Sequence, residues 1–87
     1  MLEIVTTVRV IESFVLEVGF ADGVRRQIDI GPVLHGPIFE PLRDAVLFEQ
    51  VSVDAVLGTI VWPNGADLSP EYLYTAPEVE SVHSRAS

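Results

Sequence analysis

The chain has 87 residues, 48% of them apolar, which allows one domain with a modest core. Thirteen acidic residues oppose five arginines, with no lysine, and the net charge is −8. Direct nucleic-acid binding is therefore not expected, because phosphate contacts need clustered positive charge and these arginines are scattered along the sequence.

The composition also limits the compartment and the chemistry. The chain lacks cysteine, so disulfides and thiolate metal sites are excluded. Its apolar residues occur in short runs, which predicts no membrane-spanning helix, and its first residues lack the basic segment of a signal peptide. We expect a cytoplasmic protein with no cofactor.

The first third of the sequence predicts three short strands, at residues 4–10, 14–20 and 24–30. In the second of these, Phe14, Leu16, Val18 and Phe20 alternate with other residues and should face the core. Asp22-Gly23 supplies the positive φ angles that a tight hairpin turn requires. Arg26 falls on the core side of the third strand, so we expect a buried stem and a paired or solvated head.

The middle of the chain predicts a structured loop followed by short helical turns. Residues 31–41 hold three prolines and two glycines, which no regular element tolerates, and their apolar side chains indicate a loop packed against the sheet. Pro41 is suited to open one helical turn, and Asp44 to cap a second.

The last part predicts a further hairpin, a short helix and a tail. Residues 51–54 and 59–62 form the hairpin, and Ser69-Pro70-Glu71 begins a helix that Pro77 ends.

The predicted fold is thus α+β: a small antiparallel sheet of about five short strands, a three-strand meander plus a hairpin, with short helices after the proline-rich loop and at the C-terminal end. Residues 1–77 form the domain, and 78–87 a flexible acidic and polar tail.

The candidate partner- or ligand-binding surface lies in residues 58–67, around the chain's one tryptophan. Trp62 is followed by the turn residues Pro63 and Asn64, and aromatic residues beside rigid turns are common binding anchors. The alternative is that Trp62 closes the core, with its indole N–H bonded to a backbone carbonyl. Asn64 and Asp67 either bind or satisfy local backbone donors. For Arg43, a structural ion pair with a nearby carboxylate (Asp44, Glu40 or Asp67) is the alternative to binding.

An enzyme is not expected. The two histidines, His35 in the loop and His83 in the tail, lack a nearby nucleophile and orienting group, and the common catalytic and nucleotide-binding motifs are absent.

Several segments together resemble the bacterial domain-of-unknown-function 2442 family over about residues 3 to 76. The segments that carry the resemblance are Phe20-Ala21-Asp22-Gly23-Val24, Asp29-Ile30 with Val33-Leu34, Gly36-Pro37-Ile38-Phe39 with Pro41-Leu42-Arg43-Asp44, and Gly58-Thr59-Ile60-Val61-Trp62-Pro63-Asn64-Gly65-Ala66-Asp67-Leu68. The sequence departs from the family pattern at Ala45, where proline often follows the Arg-Asp pair.

The resemblance implies a compact α+β domain without established activity, whose members often look like partners of a second small protein in a toxin–antitoxin pair. Our first hypothesis is therefore a protein-interaction module, the acidic antitoxin-like partner of a small basic protein. The alternatives are a small-molecule sensor with a ligand between the proline-rich loop and the Trp62 turn, and a transcriptional accessory that reaches DNA only through a partner. Exposed sheet edges leave a homodimer open.

Overall fold

The N-terminal part of the chain folds as an antiparallel meander. The computed structural model describes residues 3–79. Its first sheet has the order β1-β2-β3 and is formed by β1 (Val5–Glu12), β2 (Val15–Phe20) and β3 (Arg25–Asp29). The predicted Asp-Gly turn is confirmed, since Gly23 has a φ of 91° and the Asp22 carboxylate accepts a hydrogen bond from Val24 N at 3.0 Å.

The alternation in β2 directs its apolar side chains into the core, as predicted. Leu16, Val18 and Phe20 are buried, and Phe14 packs against them at the core's edge. Ile28 on β3 lies opposite Leu16 and is buried with it. Burial of one face fixes the register of the meander, because a slip by one residue would turn these side chains outward.

The proline-rich segment contains 3₁₀ helices at Gly31–Val33 and Glu40–Arg43, and α1 (Ala45–Phe48) follows. Asp44 caps α1 as predicted, because its carboxylate accepts a hydrogen bond from Val46 N at 2.9 Å. Leu34 and Leu42 are fully buried, which confirms that this segment is packed against the sheet. Ile38, by contrast, is exposed.

The C-terminal part forms a second antiparallel sheet and a helix. The sheet has the order β4-β5-β6, from β4 (Ser52–Asp54), β5 (Thr59–Val61) and β6 (Asp67–Leu68), and α2 (Pro70–Thr75) completes the fold. The predicted helix start is confirmed: the Ser69 hydroxyl accepts a hydrogen bond from Tyr72 N at 3.0 Å, and Pro70 occupies the first turn.

The α+β class is thus confirmed, whereas the arrangement of strands differs from the expected sheet of about five. Residues 3–79 contain six strands in two three-stranded sheets. The additional strand, β6, is two residues long and therefore leaves no alternation in the sequence. The two sheets meet where Val5 N donates to Gly58 O at 2.9 Å, and this bond does not continue into a ladder between β1 and the second sheet.

The first residues of the predicted tail lie beside β3. Val79 N donates to Gln27 O at 2.7 Å. The rest of that prediction, residues 80–87, lies outside the described residues. Within residues 3–79, none of the helices combines the length and the apolar character needed to cross a bilayer.

Arg26 fastens the end of α2 to β3. Its guanidinium donates to Leu73 O at 2.8 Å and to Ala76 O at 2.6 Å, and it lies 3.9 Å from the Glu78 carboxylate. The last carbonyls of a helix have no partner within the helix, so the arginine satisfies groups that would otherwise need water. The head of Arg26 is paired, as its position on the core side of β3 predicted.

The Arg26 clamp gives the first testable prediction. Arg26→Met keeps the apolar stem but removes both charged donors, so we expect the free energy of unfolding to fall by about 2 kcal/mol. Arg25→Met is the matched control, because Arg25 is the exposed neighbour in the same strand and should change stability by less than about 0.5 kcal/mol. Urea unfolding followed by tryptophan fluorescence measures both; equal losses for the two variants would contradict the clamp.

A second contact joins α2 to the β2–β3 turn. The Tyr74 hydroxyl donates to the Asp22 carboxylate at 2.6 Å, and the Tyr74 ring packs edge-on against Phe20 with centroids 4.9 Å apart. The hydrogen bond from Tyr74, assisted by the one from Val24 N, lowers the pKa of Asp22. The same bond raises the pKa of Tyr74. The contact therefore stabilises the fold at intermediate pH: its contribution is lost as pH falls through the lowered pKa of Asp22 or rises through the raised pKa of Tyr74.

We expect Tyr74→Phe to raise the pKa of the Asp22 carboxyl toward its ordinary range, because the largest cause of the lowering is gone while the hydrogen bond from Val24 N and the ring are kept. NMR titration of the side-chain carboxyl carbon of Asp22 measures this directly. Tyr72→Phe, on the same helix, is the control and should leave the Asp22 titration where it is. An unchanged pKa of Asp22 in Tyr74→Phe would show that the hydroxyl does not bind it.

Candidate functional site

The segment around Trp62 forms the hairpin turn between β5 and β6. Trp62 N donates to Ala66 O at 2.9 Å, and Gly65 N donates to Trp62 O at 3.0 Å. Gly65 has a φ of 94°, a backbone conformation that strains any residue with a Cβ. The turn is therefore fixed by its own hydrogen bonds.

Trp62 itself points into the core. Trp62 is only 3% exposed, and its indole N–H donates to Phe48 O at 2.9 Å. The ring lies against Phe48 with centroids 5.7 Å apart. Trp62 therefore closes the core, which was the alternative to a binding role, and the protein's own side chains cover the indole.

Asn64 holds the turn against the proline-rich segment. Its side-chain oxygen accepts a hydrogen bond from Ala66 N at 3.1 Å, and its side-chain nitrogen donates to Ile38 O at 2.9 Å. Pro63 and Asp67 lie outward on either side, both exposed. The outer surface of the turn is thus formed by Pro63 and Asp67, while Asn64 serves the local backbone, as one of the two alternatives predicted.

Arg43 also serves the fold, although with partners that differ from the predicted carboxylates. Its guanidinium donates to Leu34 O at 2.9 Å and to Gly31 O at 3.2 Å, and it lies 5.8 Å from the centre of the Phe14 ring. No ion pair of Arg43 is present among residues 3–79. The expected ion pair is therefore wrong: two carbonyls of the proline-rich segment accept hydrogen bonds from the guanidinium, and no described carboxylate lies within ion-pair distance of it.

The surface charge follows from how the arginines are used. Arg9 pairs with Glu17 at 2.8 Å, and its hydrogen bond lowers the pKa of that carboxyl. Arg26 and Arg43 are directed at backbone carbonyls. In the described part of the chain, five exposed carboxylates have no hydrogen-bonding or ion-pair partner for their side chains: Glu12, Glu40, Glu49, Asp67 and Glu71.

One feature of the surface has no counterpart in the sequence pattern. A groove of about 520 Å³ runs along the outer edge of the second half of β1, opposite α1. Its lining includes Val8, Val10, Glu12, Ala45, Glu49 and Val51. These residues come from two distant segments of the chain, so no spacing or motif in the sequence could have identified the groove. Within residues 3–79, no three acidic or histidine side chains converge to hold a metal ion.

Fold and turn together define a class: a small α+β domain with two antiparallel sheets, in which a tryptophan turn joins the second sheet to the core. The family model described as "Protein of unknown function (DUF2442)" matches residues 5–77. The chain belongs to this family, as the resemblance predicted. Comparisons with curated proteins and with solved structures gave no match.

The burial of Trp62 can be tested by its fluorescence, because it is the single tryptophan of the chain. We expect native emission at short wavelength and weak quenching by acrylamide, with both properties lost in urea. Trp62→Phe should lower the free energy of unfolding by about 2–4 kcal/mol, since it removes the indole hydrogen bond and opens a cavity, although Val51 N still donates to the Phe48 carbonyl at 3.3 Å. Strong quenching of the native protein, or an unchanged stability in Trp62→Phe, would contradict the core position.

Proposed function

We propose that this domain is a non-enzymatic protein-interaction module, the acidic antitoxin-like partner of a small basic protein. One observation supports it above the others: three arginines are used to hold the fold together, while five exposed carboxylates have no partner within the described residues. The side chains that remain unpaired and available to a partner are therefore mainly carboxylates, whereas the arginines named here form contacts within the fold.

This division of charge determines which partners the surface attracts. The guanidinium of Arg26 is matched by the helix-end carbonyls and that of Arg9 by a carboxylate, so neither is free to attract an anion. Unpaired surface carboxylates raise the local concentration of a cationic partner and speed its docking. A basic protein fits such a surface, whereas the phosphates of a nucleic acid are repelled. A transcriptional role would accordingly pass through the partner, as in the accessory alternative.

The sensor alternative has less support. It requires space for a ligand between the proline-rich segment and the Trp62 turn. The Asn64–Ile38 hydrogen bond joins these two segments directly, and the Trp62 ring that would line the site packs against Phe48.

The proposal is tested with the protein encoded next to this one, produced untagged together with the tagged full chain. We expect retention at about 0.1 M salt and release at about 1 M, because the screening length falls from about 10 Å to about 3 Å. Retention that is insensitive to salt would contradict the electrostatic basis. No retained partner at low salt would count against the module itself. Binding of duplex DNA by the isolated domain at physiological salt would show that the charge argument is mistaken.

A further inference from the structure

The hydrogen bonds of the first sheet show which backbone N–H and C=O groups of β1 point away from β2. Phe20 N donates to Val24 O, and Phe20 O accepts from Gly23 N, each at 2.9 Å, so Phe20 directs its backbone toward β3. Successive residues of a strand alternate in this direction. Gly19 and Glu17 therefore face β1, where they oppose Thr7 and Arg9.

Val8 and Val10, which alternate with Thr7 and Arg9, consequently direct their N–H and C=O groups away from β2. At the start of the strand the outward edge is occupied, because Val5 N donates to Gly58 O. Beyond that point, no backbone group within residues 3–79 pairs with Val8 or Val10 on the outer side. Exposed edges of this kind are templates for another strand.

The stretch is also regular enough to pair. The shifts in the β1–β2 register fall between Val5 and Thr7 and between Val10 and Glu12. Bulges protect an edge by twisting it, and here they lie on either side of Val8 to Val10 but not within it. A segment of about four residues, roughly 13 Å long, would pass along this part of the edge.

The groove beside the edge indicates the chemistry of the segment that would fill it. Its far wall includes Ala45 and Val51, which suit small apolar side chains, and its two acidic residues, Glu12 and Glu49, are exposed. Arg9 also lines the groove, but its guanidinium is paired with Glu17 and forms no ion pair with Glu12 or Glu49 in the described residues. A second copy of this chain fits poorly, because it carries the same net charge of −8 and its β1 offers no basic side chain besides Arg9, which is already paired with Glu17.

We propose that the outer edge of β1 at Val8 and Val10 accepts an extended basic segment of the partner protein as an added antiparallel or parallel strand. Main-chain hydrogen bonds to Val8 and Val10 would provide affinity, and Glu12 and Glu49 would select lysine or arginine side chains. The proposal deepens the interaction function proposed above and rests on it for the identity of the partner.

The test uses a probe that does not depend on the neighbouring gene. The ¹⁵N-labelled full chain is titrated with a capped hexapeptide of alternating lysine and valine, and a peptide with glutamate in place of lysine is the control. We expect the amide protons of Val8 and Val10 to shift and to exchange at least about tenfold more slowly with the basic peptide only. If neither amide gains protection at about millimolar peptide, where weak complexes form, the proposal is overturned.

Two variants distinguish binding of the peptide at the β1 edge from non-specific electrostatic attraction between the peptide and the acidic domain. Glu49→Lys should weaken peptide binding about tenfold, whereas Glu71→Lys makes the same charge change on α2, outside the groove lining, and should weaken it less than about threefold. Val10→Pro removes an outward N–H without breaking the β1–β2 ladder and should abolish protection at Val8. Should Val10→Pro fail to fold, the comparison of Glu49→Lys with Glu71→Lys decides: equal effects overturn the proposal.

The same amides distinguish failure of this site from failure of the proposed function. If the neighbour-encoded protein is retained while Val8 and Val10 exchange as in the free chain, the interaction function stands and this edge is not its site. If the peptide protects both amides but the neighbour-encoded protein is not retained, the strand-accepting edge stands and the partner is a different basic protein.

Discussion

The hydrogen bond from the Trp62 indole to the Phe48 carbonyl joins the two halves of this small fold. Phe48 ends α1 and Trp62 directly follows β5, and their rings are tilted by 33° to each other with centroids 5.7 Å apart. Phe48 in turn meets Phe14 edge-on, with centroids 5.2 Å apart, at the turn between β1 and β2. One row of three rings thus connects the second sheet, α1 and the first sheet. Since the two sheets share little backbone pairing, their relative position depends on this row and on the surrounding apolar core.

Charged side chains also stabilise this small fold. A domain of this size has few buried apolar side chains, and its loops and helix ends present carbonyls that need donors. Arg26 supplies these donors over a long separation in sequence, from β3 to the end of α2, and Arg43 supplies them within the proline-rich segment, from its second 3₁₀ helix to its start. Because the guanidinium groups of Arg26 and Arg43 are bonded to backbone carbonyls, the acidic character of the surface depends on how the chain folds as well as on its composition.

Local chemistry explains which parts of the fold could be predicted from the sequence. The Asp22-Gly23 turn, the Asp44 cap and the Ser69-Pro70 helix start each depend on groups within three residues of one another. The division into two sheets could not be predicted in this way, because it depends on where β1 leaves the second sheet after Val5. Likewise, the sequence identified Arg43 as important but not its carbonyl partners, which the fold of the proline-rich segment brings within reach.

Of the predicted site residues, Trp62 shows most clearly why a local pattern left the site open. An aromatic residue before a rigid turn has the same sequence whether its ring faces solvent or the core. The choice depends on Phe48, 14 residues earlier, whose carbonyl and ring are placed by α1. The turn therefore identifies the family and stabilises the fold, and its outward face consists of Pro63 and Asp67.

The two outer edges of the first sheet differ in a way that bears on binding. On β3, the outward carbonyl of Gln27 already accepts a hydrogen bond from Val79 N, so the chain itself covers part of that edge. Within residues 3–79, the second sheet forms a backbone hydrogen bond to the β1 edge only at Val5, although β4 and β5 lie close to the strand, and α1 lies across the groove from Val8 to Glu12. A lone strand can enter such a groove, whereas the wall formed by α1 obstructs a whole sheet. The geometry that would obstruct a second sheet at this edge is thus also the geometry that favours the single extended segment proposed above.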